Sequence, residues 1–121
     1  MADYGTIGAM TTPVPAIVVA DLLGSAVLLD VRENDEWAAG HAPAAVHVPM
    51  GQVAQRLDEL ATVLPDRPVH VVCRSGGRSA RVTAYLKQAG WEAVNVEGGM
   101  RAWAAAGRPM VADSNVAPRV L

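Results

Sequence analysis

The apolar run Val69-His70-Val71-Val72 ends at Cys73, and the residues that follow, Arg74-Ser75-Gly76-Gly77-Arg78-Ser79, hold two glycines and lead into a helical pattern. A short apolar run bounded by turn residues reads as a buried strand. A strand that feeds a tight glycine loop and then a helix is one βα unit of an α/β sheet, so its partners must be further strands alternating with helices.

The flanking sequence supplies them. Val14 to Val18 reads as a short edge strand, because Pro15 cannot donate to a central ladder. Ala20 to Leu23 reads as a brief helix stopped by Gly24. Val27-Leu28-Leu29 has the unbroken apolar character of a buried parallel strand and stops at Asp30-Val31-Arg32. Asn34 is placed to cap a helix through Glu36, Trp37 and Ala38 that Gly40 closes. The turn His41-Ala42-Pro43 leads to a strand at Val46-His47-Val48, which Pro49 ends. Val53, Leu57, Leu60, Ala61 and Leu64 fall at helical spacing and predict a helix over 52–64, with Pro65-Asp66 turning into the Cys73 strand. The next helix, starting near Arg78 or Ser79, has an apolar face of Ala80, Val82, Ala84, Tyr85, Leu86 and Ala89 and a stop at Gly90. Ala93-Val94-Asn95-Val96 is a last buried strand. Glu97-Gly98-Gly99 then opens a helix containing Trp103, ended by Gly107 and Pro109. No internal repeat is present.

At 121 residues without a long linker the chain makes one domain, which buries roughly two-thirds of its unfolded surface. Residues 1–12 read as a flexible N-terminal arm, 13–111 as the domain and 112–121 as a C-terminal tail. A net charge of −2 excludes the broad basic field of a nucleic-acid binder and suits small anions better. One cysteine forms no internal disulfide and no thiolate-rich metal site. His41, His47 and His70 lack metal-ligand spacing and read as structural, and Trp37, Trp91 and Trp103 as core or rim packing. Asp58 and Glu59 belong to a solvated helix face. No metal or cofactor is expected. No basic leader precedes the first apolar stretch, and Asp21 and Asp30 break the apolar runs well short of a membrane span, so the expected location is cytoplasmic, without membrane contact.

Chemistry concentrates at Cys73. A lone cysteine among Leu and Val would read as a small hydrophobe; here its neighbours are Arg, Ser and Gly. Glycines let successive N–H groups converge on one point, the helix start adds unpaired N–H groups and the positive end of its dipole, and Arg74 and Arg78 add charge. All four effects favour the thiolate, which is the nucleophilic form. Arg78 has two open roles, neutralising an anionic donor or bracing the loop through a carbonyl or carboxylate. Asp30 and Glu36 are placed either to order Arg32 or the cradle or to bond backbone.

Taken together, Cys73-Arg74-Ser75-Gly76-Gly77-Arg78-Ser79 resembles the active-site loop of the rhodanese family of sulfurtransferases. Leu28-Leu29-Asp30-Val31-Arg32 with Glu36-Trp37 and Gly40-His41-Ala42-Pro43 resembles that family's first signature. Glu97-Gly98-Gly99-Met100 through Trp103, with Gly107 and Pro109, resembles its C-terminal one. The likeness spans about residues 14–111; Ala44 departs from it, standing where the family commonly has Gly.

The resemblance implies a single α/β domain with a central, mainly parallel five-stranded sheet flanked by helices on both faces. It implies thiosulfate sulfurtransferase activity in which Cys73 carries a persulfide, Arg74 to Ser79 bind its outer sulfur and the anionic donor, and Asp30 and Arg32 support the site. The implied partners are a small anionic sulfur donor and a cyanide, thiol or protein acceptor, with the chain a monomer or homodimer. Two alternatives stand beside it. One is a persulfide carrier or partner-binding module. The other is a phosphatase or arsenate reductase of the same fold, against which the spacing counts: Cys73 to Arg78 is Cys-x4-Arg, one residue short of the phosphatase loop, Val72 stands where phosphatases usually place His, and no obvious general acid follows the loop.

Overall fold

The computed structural model describes residues 14–121; the arm expected over 1–12 lies outside the described residues. Five strands form one sheet: β1 (Ala16–Val18), β2 (Val27–Asp30), β3 (Val46–His47), β4 (Val69–Val72) and β5 (Ala93–Glu97). Their order is β1-β5-β4-β2-β3, with every neighbouring pair parallel. β1 lies at the edge, where Pro15 costs no ladder bond and its carbonyl accepts the Asn95 N–H at 2.8 Å. β4 is central, and its register sets Leu29 beside Val71 and Val71 beside Asn95.

Strand alternation sorts the core into two layers. Leu29, Val69, Val71, Cys73 and Ala93 face α2 (Leu57–Val63) and α3 (Gly77–Gln88), packing with Leu60, Leu64, Val82 and Leu86. Leu28, Val72 and Val96 face the opposite side and pack with Val19, Met100 and Trp103, the last two from α4 (Gly99–Ala105). Helices on both faces of a parallel sheet place ligand sites beyond the carboxyl ends of the strands. Asp30, Arg32 and Cys73 all emerge there, with the Val31 N–H donating to the Val72 carbonyl at 3.0 Å.

Several local expectations shift. The brief helix expected over 20–23 is a 3-10 turn at Val19–Asp21, and the helix expected over 52–64 is a 3-10 turn at Met50–Gln52 followed by α2. Arg56, at φ −106° and ψ 17°, interrupts helical backbone that the apolar spacing alone could not exclude. The first helix, α1 (Asn34–Ala39), is capped by Glu33 and not Asn34: the Glu33 side chain accepts the Glu36 N–H, and the Glu36 carboxylate accepts the Glu33 N–H at 3.0 Å. Trp103 packs in the core with its Nε1–H on the Pro109 carbonyl, and Trp91 packs against the α2–α3 layer. Asp58 and Glu59 are exposed.

The segment 112–121, read as a tail, carries no helix or strand, yet its backbone is docked. Val111 pairs with His41 in an antiparallel bridge, the Asp113 N–H donates to the Ala38 carbonyl, and the Arg119 N–H donates to the Ala39 carbonyl. Hydrogen bonds to carbonyls left over at a helix end leave no periodic trace in sequence.

Candidate active site

Cys73 leaves the end of β4 and is 1% exposed. The loop behind it folds back because Gly76 takes φ +115°, left-handed backbone that side-chain-bearing residues rarely adopt. The Gly76 N–H consequently points at Sγ from 3.1 Å, and the Ser79 hydroxyl donates to Sγ at 3.2 Å. Ser79 is fully buried, and its carbonyl is engaged by the Thr83 hydroxyl at 2.7 Å. The sulfur thus sits at the N-terminus of α3, which starts at Gly77, one or two residues earlier than the sequence pattern placed it. Burial alone pushes the Cys73 thiol up. The Ser79 hydroxyl and the amides of Ser79, Gly76 and Ser75 outweigh it, and the thiol titrates below its ordinary value.

Ser79→Ala removes the one hydroxyl that reaches this sulfur among the described residues. Alkylation of Cys73 by iodoacetamide near neutral pH should slow several-fold, with the acid limb of its pH profile moved upward. An unmoved profile would assign the thiolate's stabilisation to the backbone alone.

The loop is held from below and from the side. Asn95 on β5 donates its Nδ2–H to the Gly76 carbonyl at 3.2 Å. The Met100 N–H reaches the Cys73 carbonyl at 2.8 Å and the Arg101 N–H reaches the Arg74 carbonyl at 3.0 Å, so the first turn of α4 is docked on the cradle's outgoing backbone. Gly99 permits that approach: at φ +55°, any Cβ there would overlap the Cys73 carbonyl oxygen and the Arg74 carbonyl. Asn95 and Gly99 complete the site without having been singled out as site residues. A lone amide in a buried run, Val94-Asn95-Val96, is the signal that could have found the first.

Arg78 takes the bracing role. Its Nη1 and Nη2 donate to Glu36 Oε1 and Oε2 at 2.7 and 2.8 Å, a bidentate pair linking the first turn of α3 to α1. The Arg78 hydrogen bond, against an opposing push from burial, holds the Glu36 carboxyl at about 2, down from 4.5. A carboxyl held low in the folded protein contributes its stability above pH 4.5 and loses it as pH falls towards about 2. Following the Glu36 carboxyl carbon by NMR should show a midpoint well below 4, and a midpoint near 4.5 would mean the pair is not formed in solution.

Arg74 is exposed and makes no side-chain hydrogen bond among the described residues; Ser75 and Gly77 are exposed beside it. Asp30 and Arg32 do not enter the cradle. They are fully buried and bond to each other, with Arg32 Nε at 2.9 Å from Oδ1 and Nη2 at 2.7 Å from Oδ2. Arg32 Nη2 also donates to the Gly40 carbonyl at 2.8 Å. The pair therefore fixes the corner between β2 and α1. His47 Nε2 lies 2.7 Å from the Arg32 carbonyl and His41 Nδ1 lies 2.7 Å from the Trp37 carbonyl, so each of these nitrogens carries the proton. Both rings stack nearly parallel to Trp37. Ala44 is exposed on the turn before β3.

The family model of the rhodanese-like domain matches residues 16–106. A sulfurtransferase of Allochromatium vinosum is 42% identical over 87 residues, covering 71% of this chain and 78% of that protein. Among solved structures, a rhodanese-related protein of Thermoplasma volcanium superposes with a TM-score of 0.72 at 31% identity, covering 80% of this chain and 97% of that one. A rhodanese-like domain protein of Staphylococcus aureus gives 0.65 at 33% identity, covering 87% and 98%. The matched span holds the cradle, α1 and α4, and stops short of the docked C-terminal segment.

Proposed function

The chain belongs to the rhodanese-like domain family, and from that premise we propose that it transfers sulfane sulfur through a persulfide on Cys73. The observation that carries this reading is the convergence of the Gly76 amide and the Ser79 hydroxyl on Sγ, with the Ser75 and Ser79 amides adding to it, at the start of a twelve-residue helix. Donors preorganised around one sulfur stabilise the thiolate that attacks, and take up its charge again when the bonding pair returns to it.

In the first half-reaction the Cys73 thiolate attacks the outer sulfur of a donor such as thiosulfate. A new S–S bond forms, the donor's S–S bond breaks, and sulfite leaves with the bonding pair. In the second, a thiophile such as cyanide or a cellular thiol attacks the outer sulfur of the persulfide, and the bonding pair returns to Sγ as thiolate. No net redox change and no cofactor are needed. Arg74, exposed at the mouth, meets the anionic donor, while Arg78, held by Glu36, supplies fixed positive potential beside the sulfur.

Two half-reactions that share one enzyme form give parallel double-reciprocal lines when thiosulfate and cyanide are varied against each other. Intersecting lines, or release of phosphate from an aryl phosphate at a comparable rate, would overturn the reading. Arg74→Ala should raise KM for thiosulfate more than Lys87→Ala does, because Lys87 stands at the far end of α3.

A further inference from the structure

The helix α1 is six residues long and buries none of them. Isolated helices of that length are not stable, so its position depends on what holds its ends. The capping box holds the first end. The second is held by Arg32 at the Gly40 carbonyl and by His41 Nδ1 at the Trp37 carbonyl, and also by chain from beyond the span matched by the family: the Asp113 N–H satisfies the Ala38 carbonyl at 3.0 Å and the Arg119 N–H satisfies the Ala39 carbonyl at 2.9 Å. His41, just past the helix, exchanges two backbone hydrogen bonds with Val111, each 2.9 Å. Gly40 gives the crossing its space. Its φ of 171° is ordinary extended backbone, but a Cβ there would lie 2.5 Å from the Arg119 carbonyl oxygen and 2.7 Å from Met110 Cε.

The same helix carries Glu36, which takes both Nη groups of Arg78 at the start of α3. We propose that the segment Met110–Val120 is a strap that positions the thiol cradle: it fastens the end of α1 and thereby sets the Glu36–Arg78 pair beside Cys73. Gly40, Asp113 and Arg119 are positioning residues in this scheme, acting through Glu36 and touching no substrate. The inference rests on the reading of Cys73 as the nucleophile, and it extends the working unit beyond residue 106, where the family match ends.

The test is a double-mutant cycle in the full-length protein, read by the pH profile of iodoacetamide alkylation of Cys73. This readout senses the thiolate directly and does not depend on whether sulfur is transferred, so it survives a failure of the functional reading. Gly40→Ala pushes Arg119 away while altering no group in the cradle, and Asp113→Pro removes the donor to Ala38 at an exposed position. Each should slow alkylation near neutral pH about threefold or more and shift the profile upward, as Arg78→Ala should by taking the pair's positive charge away from the sulfur. Combined with Arg78→Ala, neither should slow it further, because both act through one pair. A strap variant that lowers Tm but leaves the profile unmoved overturns the proposal, as does a double variant whose effects multiply. Should Gly40→Ala not fold, Asp113→Pro decides.

Discussion

Replacing Asp30 with Ala should lower the free energy of unfolding by about 3–5 kcal/mol, the range found when one member of a buried ion pair is removed. Arg32 is fully buried, and its Nε and Nη2 both depend on Asp30. Its Nη1 already lacks a partner among the described residues, so the variant would leave a desolvated guanidinium whose one remaining hydrogen bond among them goes to the Gly40 carbonyl. The Arg32 N–H would also lose its acceptor, Asp30 Oδ1 at 3.0 Å. Domains of this size carry about 5–15 kcal/mol in total, so a loss on this scale removes much of the reserve. Urea unfolding at pH 7 measures it. A change below about 1 kcal/mol would mean that water reaches the pair.

Cys73→Ser should abolish thiosulfate:cyanide turnover, by at least about a thousandfold, because a serine hydroxyl is not ionised near neutral pH and forms no persulfide. The fold should persist. An oxygen at this position accepts from the same Gly76 amide and Ser79 hydroxyl, so Tm should change by only a few degrees. Retention of more than about a tenth of the wild-type rate would place the nucleophile elsewhere.

What was legible in sequence was local. Val69 to Val72, the glycine loop and the apolar face of α3 form one continuous stretch, and each signal in it reinforces the next. The parallel sheet followed from strands too apolar to face water on either side. What sequence left open lies across distance. Two roles for Arg78 stood equal because its partner, Glu36, lies 42 residues away and no local pattern joins them. Asp30 and Arg32 were legible as a charged strand end, yet only the fold turns them inward to each other. The docking of residues 112–121 escaped because it uses backbone groups, which every sequence possesses alike. Gly40 read correctly as the end of a helix, but its requirement is the space that Arg119 occupies, visible only once the far end of the chain is in place.

The ring of donors around Sγ should accept a second sulfur on Cys73, and intact-mass measurement after brief exposure to thiosulfate would detect it. The protein should gain one sulfur, roughly 32 mass units, on Cys73, removed by cyanide and absent from Cys73→Ser. A mass that stays unchanged under thiosulfate, while iodoacetamide still modifies Cys73, would contradict it.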